Sequence, residues 1–146
     1  MADNYATDAD VEKVSPLVVG ESGISAWGDV HIEAASIIDR DLKARWYRGD
    51  ALLLGYDPAE YPFDRQYLDL DSAVRLGVYK AIELACAYLT HVSEDYWEIT
   101  RDYYRDRYYE ELEAFIAGGV PYDWDHDGSI TSDETPGPAV KSLVRA

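Results

Sequence analysis

The sequence predicts an all-α protein, a small helical bundle of three main helices with extended N- and C-terminal arms. Three observations carry that expectation. Apolar residues recur at helical spacing in three separate stretches, acidic charge avoids two of them, and Pro and Gly gather between and outside them. The chain has 146 residues and a formal net charge of −16, yet residues 29–49 are neutral and residues 72–92 carry only +1. Those two stretches are the expected core helices. The organisation that follows is an N-terminal arm over 1–28, a helical bundle over 29–118, and a loop with a C-terminal tail over 119–146.

Residues 1–28 are polar, rich in Gly and Ser, and broken by Pro16, Gly20, Gly23 and Gly28, with Pro16-Leu17-Val18-Val19 as one extended anchor. Asp29 is placed to cap the first helix, whose face is Val30, Ala34, Ile37, Ile38, Leu42 and Trp46. Arg40, Lys43, Arg45 and Arg48 suit its negative C-terminal end, and Gly49 is the expected stop. Pro58 and Pro62 forbid a continuous helix through the next stretch. It reads as a long structured connection with Tyr56, Tyr61, Phe63 and Tyr67, and a short helical turn from Asp64.

Asp71 or Ser72 is the expected cap of the second helix, which carries Val74, Val78, Ala81, Ile82, Ala85, Leu89 and Val92 on one face. Cys86 and Ala87 widen that stripe, so this helix is expected at the centre of the fold. Ser93 caps the third helix, which runs to Ala117 before Gly118-Gly119, with Glu94 and Asp95 in its first turn. Trp97, Tyr104, Tyr108, Leu112 and Phe115 form one stripe, and Tyr96, Ile99 and Tyr103 a partial second. Glu98/Arg101, Asp102/Arg105 and Arg107/Glu111 lie at pairing distance along the helix.

The composition excludes several classes of function. A basic nucleic-acid-binding face needs clustered cations, and an anionic membrane surface disfavours so acidic a chain. The single Cys86 excludes an intramolecular disulfide and a Cys-rich metal site. No apolar run approaches the roughly 18–20 residues of a spanning helix, and no signal-peptide pattern opens the chain, so a soluble protein of the cytoplasm is expected. No phosphate loop, dinucleotide Gly motif or Ser/His/Asp arrangement is present. His31, His91 and His126 are scattered, and the chain is expected not to be an enzyme.

One motif has defined chemistry. Residues 123–134 read Asp-Trp-Asp-His-Asp-Gly-Ser-Ile-Thr-Ser-Asp-Glu, with acids at loop positions 1, 3, 5 and 12, Gly at 6 and Ile at 8. This matches the calcium loop of the EF-hand family. Ca²⁺ takes six to eight oxygens at about 2.3–2.6 Å. Asp123, Asp125 and Asp127 converge on it, Gly128 permits the turn that presents the Ser129 carbonyl, Thr131 contributes directly or through water, and Glu134 closes the site. Ile130 points away and anchors the loop. Gly118, Gly119 and Pro121 before it argue against an incoming helix ending at Tyr122, and Pro136 and Pro138 after it limit an outgoing helix to no more than a turn. With no second loop to pair with, its expected role is structural.

Five of the 13 tyrosines lie in 96–109. Tyr96, Tyr103, Tyr104 and Tyr109 are candidate interface residues, because Tyr offers large contact area with a polar tip. The alternative is a helix packed on both sides within the monomer. Both hold if the helix also packs between subunits.

A helix containing Ile-Ile-Asp-Arg-Asp-Leu (37–42) leads to Trp-Tyr-Arg-Gly (46–49), and a long connection leads to Ala-Val-Arg-Leu-Gly-Val-Tyr-Lys-Ala-Ile-Glu-Leu-Ala (73–85). A Tyr-rich helix with Tyr-Tyr-Glu-Glu-Leu-Glu (108–113) then precedes the Gly-Gly turn. Over residues 29–119 this order resembles the head-to-tail connector (adaptor) proteins of tailed bacteriophages. The resemblance implies a virion structural protein: a homo-oligomeric ring beneath the portal, joined to neck and tail proteins, with DNA passing through its acidic lumen without sequence readout. It also implies that the termini are docking arms, with residues 137–146 ordered by a partner. The calcium-type loop is no part of that resemblance. A stand-alone calcium-binding helical module is the other reading of the same residues.

Overall fold

The computed structural model describes residues 3–24, 27–89 and 94–135. The expected Ser93 cap, Val92 and the tail over 136–146 lie outside the described residues. The bundle is all-α, and among the described residues there is no strand, only an antiparallel bridge between Leu68 and Tyr122.

The N-terminal segment differs from the expected extended arm, because it holds two short helices, α1 (Asp8–Val14) and α2 (Pro16–Glu21). Local chemistry starts both. Thr7 Oγ1 accepts from the Asp10 amide at 3.3 Å, and the Asp10 carboxylate accepts from the Thr7 amide at 2.9 Å, a reciprocal cap. Pro16 occupies the first turn of α2, where its missing N–H costs nothing. Helices this short are unstable alone, and Val11 and Val18, both fully buried, hold them to the bundle. Just before α1, Tyr5 and Ala6 press onto Gly77. A Cβ at Gly77 would stand 2.6 Å from the Tyr5 Cβ and 2.9 Å from the Ala6 nitrogen, so only glycine admits the crossing. Tyr5 donates its hydroxyl to Asp39 at 2.6 Å, and Arg65 pairs with the same carboxylate at 3.3 Å.

Helix α3 (Gly28–Leu42) buries Val30, His31, Ala34, Ala35, Ile38 and Leu42. Asp29 lies inside its first turn rather than capping it. The helix does not stop at Gly49. A π-helical turn (Lys43–Tyr47) leads into α4 (Arg48–Leu54), which ends at Gly55 with φ +87°. The extra residue of the π turn lets the adjacent Trp46 and Tyr47 both be buried. Ala51 is buried too, and Asp50 accepts from the Trp46 indole at 2.8 Å, so packing outweighs the roughly 1 kcal/mol that a helical glycine costs. Left-handed Gly55 supplies the stop instead.

The connection makes a 3₁₀ turn at Arg65–Tyr67, capped by Asp64, where a short helical turn was expected. A second 3₁₀ turn, Leu70–Ala73, leads into α5 (Val74–Leu89). Neither expected cap serves there, for Ser72 donates back to the Asp69 carbonyl at 2.8 Å. Helix α5 is central as expected, packing against α6 (Glu94–Ala117), α3 and α1. Lys80 on α5 is buried, pairs with Glu83, and sits 4.1 Å from the Tyr108 ring centroid.

Helix α6 buries Trp97, Tyr108 and Leu112 and half-buries Tyr104 and Phe115, which realises the first expected stripe. Tyr108 donates to Asp41 on α3 at 2.8 Å. Tyr96, Ile99 and Tyr103 are exposed. Glu98/Arg101 and Asp102/Arg105 pair at 3.9 and 3.3 Å, but Arg107 reaches Glu110 at 3.5 Å rather than Glu111. The helix ends before Gly118, and Gly119 (φ +91°) turns the chain toward the loop.

Candidate metal centre

The loop after α6 is fastened at its base by backbone pairing with the connection. The Asp69 amide donates to Pro121 at 3.1 Å and the Asp123 amide to Tyr67 at 2.8 Å. The Tyr122 hydroxyl accepts from the Asp64 amide at 3.1 Å. Tyr122 and Trp124 are almost fully buried, with Asp123 buried between them. The Trp124 ring stacks on Tyr47 at 5.0 Å and on Tyr56 at 5.5 Å, and meets Trp46 at 5.7 Å. Ile130, expected to be the anchor, is 38% exposed, because Tyr122 and Trp124 already fill the apolar space beside the loop. His126 adopts φ +59° and stacks on Tyr67 at 3.6 Å.

Within the loop, amides orient the carboxylates. Asp123 Oδ1 accepts from the Asp127 amide at 3.2 Å, and its Oδ2 accepts from Gly128 at 2.9 Å. Gly128 has φ +91°, the left-handed turn expected of the sixth loop position. Asp125 Oδ1 accepts from the same Asp127 amide at 3.2 Å. Glu134, buried in a final 3₁₀ turn (Ser132–Glu134), reaches back to the start of the loop. Its Oε2 accepts from the Trp124 amide at 2.6 Å, while its Oε1 accepts from the Thr131 amide and hydroxyl, both at 3.1 Å.

Asp123, Asp125 and Glu134 thereby bring carboxylate oxygens within 4.8 Å of one another. Three of the six residues expected to bind metal are thus brought together. Asp127 lies beside the trio, its Oδ1 accepting from the Ser129 amide at 2.8 Å and hydroxyl at 2.9 Å. Thr131 is tied to Glu134. Partial desolvation, reinforced by the charges of Asp127 and Glu134, raises the Asp125 carboxyl above its ordinary range. The Ser129 amide and hydroxyl lower that of Asp127. The two Asp123 oxygens and Asp125 Oδ1 each accept one amide and keep a lone pair, whereas each Glu134 oxygen accepts two donors, the second on Oε2 being the Asp125 amide at 3.3 Å. All the candidate ligand atoms are hard oxygens, which suits a hard dication such as Ca²⁺ or Mg²⁺.

Trp46, Tyr47 and Tyr56 form the wall behind the loop, a role with no signal in the loop motif itself. Of these three only Tyr56 falls in the aromatic-rich stretch 56–67, whereas Trp46 and Tyr47 precede it. Of the candidate interface residues, Tyr96 and Tyr103 are exposed, and Tyr109 is 37% exposed with Arg45 5.2 Å from its ring. Tyr104 instead packs inward, 6.0 Å from Tyr79. His31 is buried with Nε2 2.9 Å from Asp8. Cys86 is fully buried, and burial pushes its thiol up to about 11. No family model, curated protein or solved structure compared with this chain matches it.

Proposed function

We propose that this chain is a non-enzymatic structural subunit of a phage head-to-tail connector, forming a homo-oligomeric ring in the virion between the portal and the neck or tail proteins. The observation that supports this reading is the free side of α6. That 24-residue helix buries one side in its own bundle and leaves Tyr96, Ile99 and Tyr103 exposed on the other. Aromatic and aliphatic side chains in such a row suit a subunit contact. The test is the mass of the chain in solution with and without a portal ring. Recruitment to the ring in fixed stoichiometry is expected, and a chain that never joins a portal overturns the reading.

In this reading the metal centre is a structural calcium site. Asp123, Asp125 and Glu134 hold the ion, and Asp127, the Ser129 carbonyl and Thr131 complete its oxygen shell. Bound calcium offsets the mutual repulsion of the trio and ties the segment after α6 to the aromatic wall. Asp123→Ala together with Asp127→Ala is expected to abolish calcium binding in a calorimetric titration and to loosen residues 119–135 while the bundle persists. An unchanged titration overturns the assignment. Because the metal needs ionised carboxylates and Asp125 is held above its ordinary range, affinity is expected to fall as pH drops toward that range, with Asp125 protonating early. The convergence of the trio equally supports a stand-alone calcium-binding module, which would bind calcium normally yet ignore the portal.

A further inference from the structure

The 13 cations of this acidic chain are unevenly spread, for Arg40, Lys43, Arg45 and Arg48 fall within nine residues. All four are exposed along the end of α3, the π turn and the start of α4. Two adjoining hollows, about 430 and 380 Å³, share Lys43 and Arg48 as a common wall. Arg40 and Asp39 line the first, while Tyr47, Pro58, Pro62 and Phe63 line the second. Arg40 pairs with Asp41 at 3.3 Å, and Asp39 is engaged by Arg65 and Tyr5. Lys43 stands 6.0 Å from the Phe63 ring, and neither Lys43 nor Arg48 makes an ion pair among the described residues. The result is a groove with cationic walls and an apolar end on a molecule whose net charge is −16.

We propose that this groove seats the acid-rich surface of a second copy of the chain, in a head-to-tail contact. The inference rests on the ring reading above and supplies the kind of contact that would build the ring. Charge complementarity favours this occupant. A nucleic-acid duplex would meet the groove's cations but be repelled by the rest of the chain. A polypeptide surface offers carboxylates to Arg40, Lys43 and Arg48, and apolar atoms to Phe63 and the two prolines. Two grooves cannot face each other, since that sets cation against cation. The contact therefore joins unlike surfaces, and such contacts close into rings when the rotation between subunits permits.

The test is sedimentation of the full chain at low ionic strength and again in about 0.5 M salt, where charge attraction is screened within a few ångströms. Wild type is expected to self-associate and to dissociate in salt. R40E/R48E is expected to weaken association roughly tenfold or more, while K13E/R75E, with the same net charge and exposed sites elsewhere, weakens it much less. Thermal unfolding of both variants checks that the fold is kept. A head-to-tail contact makes a further demand. R40E/R48E can still offer its acidic surface to a wild-type groove but accepts nothing itself, so a small fraction of it should shorten wild-type assemblies. Wild type that stays monomeric, equal loss in both double variants, or assemblies unshortened by R40E/R48E each overturn the groove contact. The connector reading falls separately, by failure to join a portal.

Discussion

Around α5 the packing is aliphatic and close. Leu76, Val78, Ala81, Ile82 and Ala85 are at most 2% exposed, and Gly77 brings Tyr5 and Ala6 directly onto the helix. Around Trp124 the packing is aromatic, with Trp46, Tyr47, Tyr56, Phe63 and Tyr122 meeting edge to face or stacked at centroid distances of 4.8 to 6.3 Å. The first region is built by neighbours along a helix and satisfies its backbone internally. The second is built by segments far apart in sequence, which rely on a few backbone bonds and large rings to meet at all. Cooperative helices thus make the frame, and bulky rings hold a loop with little secondary structure against it.

The sharpest way to break that contrast is Trp124→Ala. It removes the ring stacked between Tyr47 and Tyr56, and about 3–5 kcal/mol of stability should be lost. Hydrogen exchange should speed up over 119–135 more than in α5, and equal speeding in both would dissolve the distinction. Gly77→Ala is expected to cost about 1–3 kcal/mol, because the added carbon meets Ala6 backbone that must move. Its signature is released protection in α1 with the metal centre unaffected, readable in the same exchange experiment.

Alkali should strike the bundle through its buried phenols. Burial and the carboxylates of Asp39 and Asp41 raise the Tyr5 and Tyr108 hydroxyls above their ordinary value near 10. A raised folded-state value gives stability that is whole below about pH 10 and lost as pH climbs beyond it. Urea midpoints should therefore fall above that pH, and less steeply in Tyr5→Phe, whose cost at neutral pH is about 1 kcal/mol. The smallest effect is expected at Ile130→Ser, within about 0.5 kcal/mol, since this side chain is 38% exposed. A larger loss would make Ile130 an anchor after all.

The same contrast decides what could be read from the sequence. The central helix and the buried stripe of α6 announce themselves because period and burial coincide over four or more turns. Helices α1 and α2 do not, since six or seven residues hold too few repeats and depend on Val11 and Val18 finding the core. The stop at Gly49 fails because burial of Ala51 and the Trp46–Asp50 bond, both tertiary facts, override a local signal. In the loop, the spacing that marks Asp123, Asp125 and Glu134 is chemical and survives translation into space. Its anchor does not, because Trp124 meets Tyr47 across 77 positions of chain.

Cys86 gives the molecule a natural clock. The thiol is the chain's only one, fully buried on α5 and held as the unreactive protonated form by a value near 11. An alkylating reagent can reach it only when its surroundings open. At high reagent concentration the rate of labelling becomes the rate of that opening, counted one molecule at a time by mass. A subunit locked into an assembly that clamps the α5–α6 hairpin would be labelled more slowly than a free one, with no probe added to either.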